Sequence, residues 1–355
     1  MNTPDYLGQR FPLLGTQLPR LVFAALPTPV VTHEVRVDSG NRSLTIKYDN
    51  LTGDLYGGNK VRKLEYIFPR AAGKHNLRIA TFGAVGSNHA LATALYAHKA
   101  GFECTCFLSH QAKTPSVAAT LNMHIKNGTE LVRYGGAYAT RINTLRQCLW
   151  GHHAWIIPMG GSSWLGTIGF VSAGLELAEQ IESGEIQSPD KIYVGAGTMG
   201  TAVGIALGLA VAGIRAEVNA VRVSDTSIMN AQAMQTLLKK TAAMMHRLDD
   251  SVPEDIAERA NIIIRNEFFG PGYAQGTTET ENAIDFAGSE LDLELESTYT
   301  GKAMSALLSD MRNPKIDDLN LLYWHTYNSV PLDVPTDRPL NAAALPAEFL
   351  KYFSA

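Results

Sequence analysis

Two adjacent glycines, an amide and a lysine stand together in the run Asp49-Asn50-Leu51-Thr52-Gly53-Asp54-Leu55-Tyr56-Gly57-Gly58-Asn59-Lys60-Val61-Arg62-Lys63-Leu64-Glu65. The glycines allow backbone conformations closed to other residues, and the lysine then falls where a helix begins. Desolvated or set beside other cations, a lysine amine gives up its proton near neutrality and becomes a nucleophile or Schiff-base former. The same spacing also suits a solvated helix-start cation, as Arg62 and Lys63 alongside it indicate.

Three further segments carry polar groups at strand-to-helix turns. In Phe82-Gly83-Ala84-Val85-Gly86-Ser87-Asn88-His89-Ala90, the free N–H groups of a helix start suit a carboxylate, and Ser87 and Asn88 can add donors or act as simple N-caps. In Lys191-Ile192-Tyr193-Val194-Gly195-Ala196-Gly197-Thr198-Met199-Gly200-Thr201, the glycines satisfy G-x-G-x-x-G, which raises a dinucleotide site and an NAD-dependent oxidoreductase. That reading wants an acid at the end of the next strand, whereas Glu217 lies at its start and Asp225 beyond its end. The same turn also suits a single phosphate, cradled by successive N–H groups and the hydroxyls of Thr198 and Thr201. Last, Glu296-Ser297-Thr298-Tyr299-Thr300-Gly301-Lys302-Ala303-Met304, with Gly270-Pro271-Gly272-Tyr273 upstream, offers phenols and a hydroxyl that spacing alone leaves equally explained by packing.

The elements that must position these groups alternate. Short apolar or β-branched runs at 44–49, 78–82, 103–108, 129–134, 155–158, 191–194, 217–223 and 321–325 predict strands. Helical periods are predicted at 63–72, 89–100, 138–151, 166–183, 201–212, 228–245, 254–266, 277–291 and 302–311. Gly101 and Gly151 stand at helix ends, and Thr277-Thr278-Glu279 opens a helix with acid in its first turn. The alternation is that of an α/β protein with parallel strands covered by helices. Pro19, Pro27 and Pro29 mark an ordered N-terminal arm, residues 39–42 and 313–318 read as surface loops, and polar turns at 183–190 suggest a boundary.

Composition narrows the class. The 355 residues are 45% hydrophobic and 18% charged, and 30 Lys and Arg against 34 Asp and Glu leave a net charge of −4, so nucleic acid is not an expected partner. No signal peptide or membrane span is expected, and the most apolar stretch, 201–214, reads as a buried helix. Three cysteines, Cys104, Cys106 and Cys148, are too few for a disulfide framework, so a reducing cytoplasm is expected. His33, His75, His98, His110, His124, His152, His153 and His246 show no metal-ligand spacing, and no G-x-S-x-G elbow occurs.

Taken together and in order, these segments resemble the D-cysteine desulfhydrase / 1-aminocyclopropane-1-carboxylate deaminase family, pyridoxal-phosphate enzymes of the tryptophan synthase β-like fold, fold type II. The likeness begins at Leu26-Pro27-Thr28-Pro29 and also includes Pro158-Met159-Gly160-Gly161-Ser162-Ser163. Its most specific parts are the G-G-N-K-x-R-K-L-E run at Gly57 and the Y-T-G-K-A-M run at Tyr299. The resemblance implies that Lys60 binds pyridoxal 5'-phosphate covalently and shuttles the α-proton. Asn59 would help hold the phosphate or ring, and Asn88 the ring oxygen. Gly197, Thr198, Met199, Gly200 and Thr201 would form the phosphate cup. Ser87, Asn88 and His89 would receive the substrate carboxylate, Tyr273 and Tyr299 would line the substrate side with catalytic phenols, and Thr300 would contact the pyridine nitrogen.

It further implies two three-layer α/β/α domains: a large cofactor-binding one of 1–62 and 173–355, and a small substrate-binding one of 63–172, with the active site in the cleft between them. Within the family, threonine at position 300 resembles the desulfhydrases, whereas the deaminases carry glutamate. The expected reaction is therefore α,β-elimination of a small D-amino acid, D-cysteine giving pyruvate, ammonia and sulfide. Ring opening of 1-aminocyclopropane-1-carboxylate to 2-oxobutyrate is the alternative. A homodimer is the family expectation. The chain departs from the family pattern at Tyr327-Asn328, where two glycines are usual, at Gly86, where a larger polar residue is common, and at Leu91-Ala92, where an arginine–glutamine pair is common.

Overall fold

The computed structural model of the chain describes residues 3–37, 40–74, 77–136, 138–149 and 154–353. In chain order the elements begin with α1 (Tyr6–Arg10), α2 (Pro12–Gln17), β1 (Val30–Val37), β2 (Gly40–Tyr48) and α3 (Lys60–Ala72). There follow β3 (Arg78–Ala84), α4 (Asn88–Lys99), β4 (Glu103–Ser109), α5 (Pro115–Lys126), β5 (Glu130–Arg133), α6 (Tyr138–Leu149) and β6 (Ala154–Ile157). Then come α7 (Trp164–Glu182), β7 (Lys191–Ala196), α8 (Gly200–Ala212), β8 (Glu217–Arg222), α9 (Ala231–Leu248), α10 (Ile256–Arg259) and β9 (Ile262–Arg265). The last are α11 (Thr278–Leu291), α12 (Thr300–Met311) and β10 (Leu321–His325). Two units partition the chain, one of residues 1–66 and 162–329, the other of 67–161 and 330–355.

The first unit is built on a six-stranded sheet of order β1-β2-β10-β7-β8-β9, parallel except for the β1–β2 hairpin. One face is covered by α11 and α12, whose Ala287, Leu291, Met304, Leu307 and Met311 pack on Leu44, Ile46, Tyr193 and Tyr323. The other face carries α8, buried on all sides, with α7 against it. That contact needs glycine, since a Cβ at Gly208 would lie 2.4 Å from the Val171 carbonyl oxygen. The strand order reverses between β7 and β10, the place where a doubly wound sheet opens a crevice at its C-terminal strand ends. Residues 197–201 and 326–328, which follow those two strands, lie there.

Under this sheet end lies a buried ionic cluster. Arg62 pairs with Asp49 at 2.7 Å and with Glu176 at 2.9 Å, and Lys47 reaches Glu176 at 2.5 Å, all four side chains being essentially inaccessible. Thr28, Gln180 and Trp324 satisfy remaining lone pairs and protons. Two positive and two negative side chains balance, so the cost of burying charge is offset only while every member is present. The cluster ties β2, the start of α3 and α7 together, and so fixes the backbone two residues from Lys60.

The second unit has a four-stranded parallel sheet of order β5-β4-β3-β6. Helix α4 packs on β3 and β4, and α5 on α4. The segment after residue 330 returns to this unit: the Asn122 amide donates to the carbonyls of Pro335 and Arg338, and Tyr352 reaches His110 and Gln111. Here too the strand order reverses, between β3 and β6, and the turn leading to α4 sits at the C-terminal end of β3.

Several sequence expectations are corrected. The segment 254–266 is not one helix but α10 followed by β9, because Ile262, Ile263 and Ile264 are β-branched and extend alongside β8. Within the expected 39–42 loop, Gly40, Asn41 and Arg42 belong to β2, paired with Val37, Arg36 and Val35. The turns at 183–190 join α7 to β7 inside the first unit and are no boundary. Residues 330–355, expected in the large domain, belong with 67–161, and the division falls at 66/67 and 161/162. Strands β1 and β9 and helices α1, α2 and α5 are additions. Gly151 and the histidines at 75, 152 and 153 lie outside the described residues. Among the described residues no helix is long and apolar enough to cross a membrane.

Candidate active site

Lys60 opens α3 directly after a tightly held turn. Gly57 donates its N–H to Asn328 Oδ1 at 2.7 Å, Gly58 to the Asp49 carbonyl at 2.9 Å and Asn59 to the Thr326 carbonyl at 3.2 Å. Gly58 has φ +88, and a Cβ there would stand 2.6 Å from the Thr326 oxygen, so both conformation and space demand glycine. The Lys60 residue is partly exposed, but its amine is desolvated; this lowers its pKa to about 8 against the opposing pull of the Glu296 carboxylate. The amine donates to Asn59 Oδ1 at 3.0 Å and lies 5.8 Å from the Tyr299 ring centre.

Asn59 joins this lysine to the phosphate-type turn, its Nδ2 donating to Thr201 Oγ1 at 2.9 Å. The turn from β7 into α8 contains Met199 in the left-handed region at φ 65, uncommon for a side-chain-bearing residue and a conformation that turns successive N–H groups toward one point. Around it Ser162 Oγ lies 2.7 Å from Thr198 Oγ1 and accepts from the Gly200 N–H at 3.1 Å and from Lys63 Nζ at 3.3 Å. A Cβ at Gly200 would come within 2.6 Å of Ser162 Oγ and 3.1 Å of Lys63 Nζ. Lys63 is 2% exposed, and burial together with repulsion from Lys60 holds its amine well below the usual lysine range. Sequence reasoning had not assigned Lys63 or Ser162 to this site, although Lys63 stands inside the G-G-N-K-x-R-K run.

Tyr273 and Tyr299 meet edge to face, with hydroxyls 3.3 Å apart, and burial raises both phenols. The Tyr273 loop is held by Lys302, whose amine donates to the carbonyls of Phe269 at 2.5 Å and Gly272 at 3.1 Å. Glu296 accepts from the N–H groups of Thr298, Tyr299 and Thr300 and so caps α12. Thr300, 1% exposed, has its hydroxyl in the same cap, accepting from the Glu296 N–H at 2.8 Å and lying 3.2 Å from the Glu296 carboxylate. Lys302 and Glu296 are the other groups the sequence reading passed over. His325 is buried, its Nδ1 has no hydrogen-bond partner among the described residues, and desolvation brings its pKa to about 3, so the ring is neutral. Tyr327 is raised to about 12 by burial, with Glu296 and Glu294 adding to it.

In the second unit Ser87 N-caps α4, its Oγ accepting from the Ala90 N–H at 3.3 Å, and Asn88 is the first helical residue. His89, expected with Ser87 and Asn88 to receive a carboxylate at the helix start, has a buried ring with Nε2 2.9 Å from Thr81 Oγ1 and Nδ1 3.5 Å from Thr93 Oγ1.

The first unit's donor set fits pyridoxal phosphate. Hydroxyls, a helix N-terminus and the desolvated Lys63 amine converge on the 197–201 turn, as a phosphate requires, and a lysine amine of lowered pKa lies one side chain away through Asn59. A dinucleotide reading finds no ribose acid, since β8 ends at Arg222 and Ser224 Oγ is bound to the Gly197 carbonyl. Among the described residues no group of three or more His, Cys, Asp or Glu is placed to hold a metal.

Comparison with known proteins agrees with this geometry. The chain is 30% identical to a D-cysteine desulfhydrase of Klebsiella pneumoniae (strain 342) over 331 residues, covering 88% of this chain and 94% of the relative. It is similar to the crystal structure of an ACC deaminase homologue, with a TM-score of 0.73, 27% identity and coverage of 90% and 94% of the two chains. Threonine deaminase isoform 2 from Solanum lycopersicum, at 15% identity, shares the fold with a TM-score of 0.61 over 93% of this chain and 87% of that one. The fold is that of the fold type II enzymes, and this sets aside the NAD-dependent oxidoreductase. Residues 22–322 match the family model "Pyridoxal-phosphate dependent enzyme", so the chain belongs to that family and is a pyridoxal-phosphate-dependent lyase.

Proposed function

We propose that this enzyme eliminates the β-substituent of a small D-amino acid, D-cysteine and water giving pyruvate, ammonia and hydrogen sulfide. The observation that supports the reading is Thr300: a neutral hydroxyl, engaged in the α12 cap, occupies the position where the family resemblance gives the deaminases a glutamate. Without a charge at Thr300 to hold a proton on the ring nitrogen, the bound cofactor would be a weaker electron sink, adequate for loss of a thiolate. When bound, pyridoxal phosphate supplies the sink that makes the substrate α-proton acidic. Lys63, Ser162, Thr198, Thr201 and the N–H groups of 198–201 would hold its phosphate, and Lys60 would bond it.

The Lys60 amine, set by Asn59, would take the α-proton. The Tyr299 and Tyr273 phenols, kept protonated by burial, would orient the departing group or protonate it. Ser87, Asn88 and the N–H groups opening α4 would receive the carboxylate. Residues 1–66 and 162–329 would thus serve the cofactor, and 67–161 the substrate. The likeness to D-cysteine desulfhydrases supports this reading, and a homodimer acting in the cytoplasm is part of the same proposal. The test is a panel of D- and L-amino acids and 1-aminocyclopropane-1-carboxylate, with pyruvate, sulfide and 2-oxobutyrate measured. D-Cysteine should be turned over fastest; a faster release of 2-oxobutyrate from the cyclopropane would replace the reading with the deaminase one.

A further inference from the structure

Gly86 precedes the carboxylate-receiving turn, and another part of the chain fills the space a side chain there would occupy. A Cβ on Gly86 would meet Gln111 Nε2 at 2.9 Å, Gln111 Oε1 at 3.2 Å and Val117 Cγ2 at 3.0 Å. The Gly86 N–H donates to Gln111 Oε1 at 3.1 Å. That bond fixes the orientation of the amide, because an N–H needs the oxygen, so Nε2 is the end left over. Among the described residues Nε2 donates to no protein atom, and it stands 2.9 Å from where a Cβ would be on Gly86, the residue before Ser87.

The backbone of Gln111 is itself clamped. Its N–H donates to the Tyr352 hydroxyl at 3.2 Å, and that hydroxyl donates to the Gln111 carbonyl at 3.1 Å and lies 3.1 Å from His110 Nδ1. Tyr352 is buried and belongs to the 3-10 turn Ala347–Tyr352, where Phe349 is also buried and packs edge-on against His110. A residue 25 positions from the turn is therefore held in place by the C-terminal segment.

We infer that Gln111 is a substrate-binding residue: its Nε2 donates to the substrate carboxylate beside Ser87, in place of a side chain at position 86, and Tyr352 positions it. The inference rests on the proposal that residues 87–89 receive the carboxylate. An amide donor at that place adds a directed hydrogen bond to a charged group, one the helix start alone does not provide.

The test uses the holoenzyme and D-alanine, which has the carboxylate and amine but no leaving group, titrated through the change in cofactor absorbance. Gln111→Ala removes both ends of the amide and should raise the dissociation constant roughly tenfold. Gln111→Glu keeps the acceptor for Gly86 but turns a carboxylate oxygen toward the substrate, and should weaken binding further than Gln111→Ala. Tyr352→Phe should raise it by less, with kcat for D-cysteine unchanged. If Gln111→Glu binds D-alanine as well as the parent, the amide only braces the turn and the inference is overturned. Ser87→Ala separates the two claims. A raised constant in Ser87→Ala with none in Gln111→Ala defeats this inference alone, and no change in either defeats the carboxylate reading with it.

Discussion

Removing the Asn328 side-chain acceptor tests how the turn before Lys60 is held. In Asn328→Ala the N–H of the buried Gly57 loses its partner at 2.7 Å. An orphaned donor of this kind costs about 1–2 kcal/mol, which is roughly 5- to 30-fold in an equilibrium. The remaining ties, Gly58 to Asp49 and Asn59 to Thr326, keep the chain folded, so the cost falls on the population of turns that present Lys60 correctly. The assay is the dissociation constant of pyridoxal phosphate, by absorbance on the resolved apoenzyme, with a thermal melt beside it. Asn328→Ala should bind the cofactor roughly 5- to 30-fold more weakly while melting close to the parent. Asn328→Asp, which retains an oxygen at the same place, should stay near the parent. Equal affinity in Asn328→Ala and the parent, or Asp as weak as Ala, refutes the reasoning.

Other outcomes follow from the charges. The Lys60 amine, at about 8, must be unprotonated to bond the cofactor, so the rate of pyridoxal phosphate uptake by apoenzyme should rise with pH through about 8. Because the Glu296 charge raises that pKa, Glu296→Gln should move the inflection to lower pH; a shift upward contradicts the placement. Burial pushes Glu176 up, but Arg62 and Lys47 outweigh it and bring its pKa from the ordinary 4.5 to about 2. The stabilisation, about 3 kcal/mol, is present above pH 4.5 and lost as pH falls toward 2. Glu176→Gln should thus be less stable to urea by about 3–5 kcal/mol at pH 7, since it strands Lys47 and Arg62, and should lose part of the parent's acid sensitivity. An unchanged urea midpoint would show that the cluster carries no such weight.

The alternation of strands and helices, and the turns at Gly57, Gly86 and Gly197, were legible because they rest on local period and glycine placement. What was not legible is mostly non-local. Asn328 reaches Gly57 across 271 positions and Ser162 reaches Lys63 across 99, and no spacing rule connects such pairs. Strand β1 was hidden because its burial does not follow a strict alternation, as suits an edge strand paired on one side. Helix α5 carries Thr120, Asn122 and His124 on its buried side, which blurs an apolar stripe; Asn122 is there to bind the C-terminal segment. Lys63 and Lys302 were visible, within the quoted motifs, but their burial and partners are tertiary facts. His89 was read by type, and its neighbours Thr81 and Thr93 decide where its ring points.

Three lysines near the site have lowered pKa values: Lys60 at about 8, Lys302 at about 8, and Lys63, which burial and the Lys60 charge hold well below the usual lysine range. Acidity alone does not choose among them. Lys302 donates to the carbonyls of Phe269 and Gly272 and Lys63 to Ser162 at the 197–201 turn, so the proposal places the cofactor on Lys60, beside Asn59 and the Tyr299 ring. Borohydride reduction of the holoenzyme, followed by digestion and mass spectrometry, reads this directly. The pyridoxyl group should be found on Lys60 and be lost in Lys60→Ala; its recovery on Lys63 or Lys302 of the parent protein would contradict the account.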